Sequence, residues 1–126
     1  MSKFLIYPVE TGVKFALHAG NGECIAVSEV YTSRALCRRG VESVRKCAAT
    51  GKILDLTKEG EKPVTNPKFE LYTDRRSAYR FRLKARNGEV IAASEGYTSH
   101  AAALSGIESV ITNAPIAEIE EVTEER

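Results

Sequence analysis

Three cysteines, two histidines and a polar stretch written twice are the residues whose types could carry chemistry in this 126-residue chain. Thiols can serve as nucleophiles or metal ligands. Cys24, Cys37 and Cys47, however, fall opposite Val90, Ala103 and Asn113 when the two similar halves of the chain are aligned. Cys37 and Cys47 share one predicted helix, about 15 Å apart by its rise, too far for a disulfide. An odd count without framework spacing suggests reduced thiols that fill a core. His18 and His100 occupy unrelated places in the two halves, and neither has a ligand or base at i+3 or i+4. A metal site or a catalytic dyad therefore gains no support. The G-N-G-E at Gly20 is a hairpin turn that opens no helix, so it is not a phosphate-cradling loop. The sequence assigns no catalytic residue, no cofactor and no metal.

The polar stretch reads S-E-x-Y-T-S. Ser28, Glu29, Tyr31 and Thr32 recur as Ser94, Glu95, Tyr97 and Thr98. Free amides at a helix N-terminus could favour an anion there, with Arg34 helping in the first copy. A turn, a helix cap and a packed tyrosine explain the same residues without a ligand, and that reading is preferred. A basic stripe, Arg80, Arg82, Lys84 and Arg86, could track phosphates from one sheet face. Its counterparts are Lys14, Ala16, His18 and Gly20, so the stripe is not shared. No exposed aromatic is evident for base stacking. Glu118 and Glu120, on a strand of the same sheet, are expected to pair with part of the stripe.

These residues are positioned by a duplication. N-G-E-C-I-A-V-S-E-V-Y-T-S-R-A from Asn21 returns as N-G-E-V-I-A-A-S-E-G-Y-T-S-H-A from Asn87. Phe15, Leu17 and Ala19 match Phe81, Leu83 and Ala85; Lys3, Phe4 and Tyr7 match Lys68, Phe69 and Tyr72. Each copy opens with a short strand, 3–7 or 68–72, rich in aromatic and aliphatic residues. The next strand alternates, Tyr79, Phe81, Leu83 and Ala85 against the basic stripe, as a half-buried strand does. Asn-Gly then predicts a type I′ hairpin turn with positive φ at both residues. A third strand covers 23–28 and 89–94.

A helix follows, capped by Thr32/Ser33 or Thr98/Ser99. The wheel places Leu36, Cys37, Gly40, Val44, Cys47 and Ala48 on one face, and Ala102, Ala103, Gly106, Val110, Asn113 and Ala114 on its counterpart. Glycine at the centre of a buried face implies close approach of helix to sheet, since it costs about 1 kcal/mol against alanine. The helices stop at Thr50-Gly51 and Asn113-Ala114-Pro115. Last strands cover 52–57 and 116–123. On the outer helix faces, Arg34, Arg38, Arg39, Glu42, Arg45 and Lys46 make a basic surface in the first copy. The second carries Leu104 and Ile111, which should not both be wet. They predict an interaction surface, with self-association the simplest partner.

The hairpin N-G-E-V-I-A-A-S-E-G-Y-T-S, preceded by Y-R-F-R-L-K-A-R and followed by G-I-E-S-V, resembles the YegP-like family of small bacterial proteins of unknown function. The first copy departs from it, with Val30 for the glycine of S-E-G-Y and H-A-G-N for K-A-R-N. The resemblance implies two units in one antiparallel sheet, helices on one face and final strands exchanged between units. It brings no activity and no catalytic residues.

The expected fold is α+β: two tandem βββαβ pseudo-repeats in one domain, with repeat 1 at 1–57, a polar proline-broken linker at 58–67 and repeat 2 at 68–126. The 43% hydrophobic and 28% charged shares are those of a globular chain. No membrane-length apolar run or secretory start is present, which makes the cytoplasm the expected location. Net charge is +1, split as +4 over 1–58 and −3 over 59–126, so no global field points to nucleic acid or membrane. Much of the acid sits late, at Glu118, Glu120, Glu121, Glu124 and Glu125. The expectation is a non-catalytic interaction or structural module. Nucleic-acid or anion binding through the basic strand and helix patches is the alternative, and an enzyme ranks third. The candidate binding surface is Arg80, Arg82, Lys84, Arg86, Leu104 and Ile111.

Overall fold

The computed structural model describes residues 1–123, so Glu124 and Glu125 lie outside the described residues. Each repeat makes three strands, a helix and a last strand. In the first these are β1 (Lys3–Val9), β2 (Gly12–His18), β3 (Cys24–Val27), α1 (Arg34–Ala48) and β4 (Ile53–Asp55). In the second they are β5 (Lys68–Thr73), β6 (Tyr79–Lys84), β7 (Val90–Ala93), α2 (His100–Asn113) and β8 (Glu118–Glu121). Ser33 and Ser99 are the N-caps, each accepting from the amide three residues on, Leu36 N or Ala102 N.

All eight strands form one sheet, ordered β4-β5-β6-β7-β3-β2-β1-β8. The last strand of each repeat therefore lies at the outer edge of the other. The sheet is mixed rather than antiparallel, because β4–β5 and β1–β8 pair in parallel. Residues 56–67 carry the chain back to the end where β4 began, so β5 starts beside it and runs the same way. At the centre the two repeats meet by a single ladder pair, Val27 with Ala93.

Alternation sends Phe4, Ile6, Phe15, Leu17, Phe69, Leu71, Phe81 and Leu83 to the helix side of the sheet, where they form one buried cluster. The helices contribute Cys37, Gly40, Val41, Val44, Cys47 and Ala48, and Ala103, Gly106, Ile107 and Val110. The expected helix faces need correction by one position. Leu36 is exposed, while Val41 and Ile107 are fully buried, so the apolar stripe leans toward the next turn.

The Asn-Gly turns are also not type I′. Gly22 and Gly88 have φ of 87° and 86°, but neither asparagine has positive φ. Gly22 N donates to Ala19 O, Ala19 N donates to Glu23 O, and the β2–β3 register shifts beside the turn. This is a three-residue loop with a bulged glycine, and Asn21 Oδ1 stabilises it by accepting from Glu23 N at 3.0 Å. Asn87, Gly88 and Glu89 repeat the arrangement.

Candidate functional site

The S-E-x-Y-T-S stretch is packed and hydrogen-bonded into the fold in both copies. Ser28 and Ser94 are each 5% exposed. Each hydroxyl accepts from a core strand amide, Phe15 N or Phe81 N at 2.9 Å, and donates to the carbonyl of Glu29 or Glu95. Tyr31 and Tyr97 bridge back to Val13 and Tyr79 and stack on Phe15 and Phe81, with centroids 6.2 Å apart in both copies. Their hydroxyls lie against Gly40 and Gly106. The helix glycine thus makes room for the tyrosine tip, a more specific cause than helix–sheet approach alone. Arg34, offered as an anion ligand, instead contacts Glu121 at 3.1 Å and the Val122 carbonyl at 2.8 Å.

The side of the sheet away from the helices is where unshared residues gather. One register row crosses all eight strands there: Leu54, Glu70, Arg82, Ala93, Val27, Ala16, Leu5 and Glu120. Its second-repeat end is charged. Glu70, 5% exposed, takes Arg82 Nε at 2.7 Å and Lys84 Nζ at 3.2 Å, with Lys68 Nζ 3.7 Å away. Burial works against its charge, but the Arg82 and Lys84 bonds outweigh burial and hold the carboxyl below the usual range. Arg80 Nε lies 2.6 Å from Asp74 and likewise holds that carboxyl low. The basic stripe is therefore largely neutralised, and by Glu70 and Asp74 rather than by Glu118 or Glu120. Glu120 lies at the far edge of the sheet, 3.2 Å from Lys3. Tyr72 also stands on this face, under the Arg82 guanidinium at 4.4 Å from the ring centroid, so the face does hold an aromatic. Arg86 lies beyond β6, in the turn, and is exposed.

Leu104 and Ile111 are half-buried and pack on the core cluster, so much of their shielding comes from within the chain. Part of the basic outer face of α1 is likewise used internally, through Arg34, Arg38 and Arg45. Arg34 and Arg38 both contact Glu121. Arg45 donates to the Ala114 and Ala117 carbonyls just past α2, where the second helix has no basic residue of its own.

The histidines need one correction. His18 Nδ1 is 3.1 Å from Gly22 O, a local turn contact. His100 Nε2, however, lies 2.6 Å from Asp55 Oδ2, joining the start of α2 to the end of β4 across 45 residues. Asp55 also accepts from Thr57 N and Oγ1, with Lys58 Nζ 3.9 Å away. Burial opposes its charge, yet the Thr57 and His100 bonds pull its pKa down. The equivalent contact in the other half is Arg34 with Glu121, so both are ties from a helix start to the other repeat's edge. Spacing along one helix could not reveal this pair; the shared strand order brings it together.

Cys37 and Cys47 are buried, and burial pushes the Cys37 thiol up to about 11, while Cys24 is exposed rather than core. Among the described residues no group of three or more His, Cys, Asp or Glu could hold a metal ion. Among them, too, no helix is long and apolar enough to cross a membrane.

Two βββαβ units in one mixed sheet, each carrying the other's outer strand, with their helices on one side, define a tandem α+β protein. The chain belongs to the family described as "Domain of unknown function (DUF1508)", which matches residues 11–55 and 70–121. It is 35% identical over 120 residues to the UPF0339 protein in the ptx operon 5′ region of Stutzerimonas stutzeri, covering 94% of this chain and 95% of that one. It is 62% identical over 55 residues to a UPF0339 protein of Treponema denticola, 44% of this chain but 95% of that protein, which is thus one repeat long. Among solved structures, yegP from E. coli, described as of unknown function, matches with TM-score 0.80 and 27% identity over 99% of this chain and 96% of its own. The UPF0339 protein SO3888 of Shewanella oneidensis matches with TM-score 0.79 and 28% identity, over 97% and 92%.

Proposed function

We propose that this chain is a non-catalytic interaction module whose contact surface is the side of the sheet away from the helices. The observation that supports this reading is the register row across that side. Its middle, Leu5, Ala16, Val27 and Ala93, is apolar, with Leu5 and Ala16 buried and Val27 and Ala93 half-buried at the junction of the repeats, while charged groups bound it on both flanks. An apolar centre with a polar rim is the usual anatomy of a protein-binding surface. Arg80, Arg82 and Lys84 belong to that rim, already paired with Asp74 and Glu70. Internal pairing favours a protein partner over a polyanion, which would have to compete with carboxylates at hydrogen-bond distance.

The test is capture from native lysate, treated with nuclease, using the wild type and a Val27→Glu/Ala93→Glu double variant. A partner held by the wild type after nuclease and lost from the folded variant is the expected result. Equal capture by both, or loss on nuclease alone, would rule the reading out.

A further inference from the structure

We propose that the groove between α1 and the β6–β7 hairpin binds a small organic phosphate monoester, its phosphate held between Lys46 and Arg86. This site is separate from the sheet face and does not depend on it. The groove has a volume of about 490 Å³, within the range of small-ligand sites. Lys46 enters from the last turn of α1 in the first repeat, and Arg86 from the hairpin of the second.

Nine of the seventeen Lys and Arg among the described residues pair with a carboxylate, and eight, Lys46 and Arg86 among them, do not. Arg34 and Arg38 contact Glu121, Arg45 contacts Glu42, Arg80 contacts Asp74, and Arg82 and Lys84 contact Glu70. Lys46 and Arg86 have no acidic partner among the described residues, yet both line one concavity. The negative end of α1 explains a lysine in its last turn. It does not explain an arginine delivered to the same groove from the other repeat.

The remaining lining suits such a ligand. Asn87 Oδ1 accepts from Glu89 N, which leaves its Nδ2 hydrogens available as donors. Ser43 adds a hydroxyl, which lies 3.9 Å from the Cys47 sulfur. Pro67 and Ala85 form an apolar wall, and among the described residues no carboxylate lines the groove. Arginine binds phosphate oxygens in pairs and lysine as a point charge, so together they suit a phosphate dianion. The volume beyond one phosphate, with its apolar wall, suits the ester's organic part.

The duplication supplies an internal control. The equivalent groove, between α2 and the β2–β3 hairpin, has a volume of about 410 Å³ and keeps Ala19, Asn21 and Ser109 where this one has Ala85, Asn87 and Ser43. The positions of Lys46 and Arg86 are Thr112 and Gly20 there, while Glu23 and Glu89 stand at the same place on both hairpins. The same hairpin-and-helix feature thus occurs once with two cations in its lining and once with none among the described residues.

The experiment is an NMR titration of the ¹⁵N-labelled full chain with phenyl phosphate, phenol and inorganic phosphate at low salt. The proposal expects saturable shifts with phenyl phosphate at Ser43, Lys46 and Asn87, and none at Asn21 or Ser109. Phenol should not bind, and inorganic phosphate should bind more weakly. Lys46→Gln and Arg86→Gln, both at exposed side chains, should keep the folded spectrum and each weaken binding roughly tenfold, the loss of one charge-assisted bond. Non-saturating shifts, equal response at both grooves, unchanged affinity in the variants, or phosphate binding as tightly as its ester would each overturn the proposal.

Discussion

Tyr97 Oη occupies the space where a side chain at residue 106 would begin, and Tyr31 does the same for residue 40. A Cβ on Gly106 would lie 2.5 Å from that hydroxyl and 2.8 Å from Phe81 Cε2, a ring that is fully buried. Helix propensity alone says that Gly106→Ala should gain about 1 kcal/mol. Overpacking costs about 1–3 kcal/mol, and with two rigid rings in the way it should win. Gly106→Ala is therefore expected to lose up to about 2 kcal/mol in urea denaturation, and adding Tyr97→Phe should recover part of it. A stabilised Gly106→Ala would show that the tyrosine does not set the residue. The duplication made Gly106 visible as unusual in the sequence, because a helix centre is a poor place for glycine. Its cause was not visible, since periodicity reports which face is buried and not which atom fills it. The same limit applies to Ser94: its cap-like company pointed to a turn, whereas the structure shows its hydroxyl satisfying Phe81 N within the sheet.

The two helix starts are tied to the sheet's outer strands by different chemistry. Arg34 and Arg38 hold Glu121 on β8, and His100 holds Asp55 on β4. The acid response follows from the second tie. Folding favours ionised Asp55, so its pKa is lower in the folded chain than unfolded. The stabilisation is present above the unfolded value of about 3.9 and is lost as pH falls through the lower folded value. Asp55→Asn should cost about 1–3 kcal/mol at pH 7 by leaving part of this buried cluster unsatisfied. The gap between wild type and variant should shrink as the pH falls below 4 in guanidinium unfolding series. A gap independent of pH would show that the Asp55 charge contributes nothing. None of these ties was readable from the sequence. The partners lie 45 and 87 residues apart, and only the order of the strands makes them neighbours. The partners of the basic stripe are hidden from the sequence for the same reason: Glu118 and Glu120 alternate as a pairing strand would, but β8 lies at the opposite edge of the sheet. The register Glu70 with Arg82 decides the matter.

At the scale of the whole molecule, two units of about fifty-five residues would each have a thin core if they stood alone. Together they share one buried cluster that draws on the strands and the helix of both. Strand number, helix number and the duplication were legible because alternation, caps and Asn-Gly turns are local signals. The parallel outer pairs were not, because a strand's neighbour depends on where the chain returns. This architecture makes the halves complementary, and a relative one repeat long fits the same logic. The linker has little to hold: among its residues, Glu59 to Pro63 are exposed and outside regular structure. The most direct measurement is to insert a protease site between Glu59 and Pro63, cut it, and determine mass by analytical ultracentrifugation without denaturant. Mutual completion predicts a single species at the mass of the uncut variant, the chain's 13.8 kDa plus the inserted site, that separates into halves only on unfolding. Two folded species of half that mass, released at once on cutting, would contradict it.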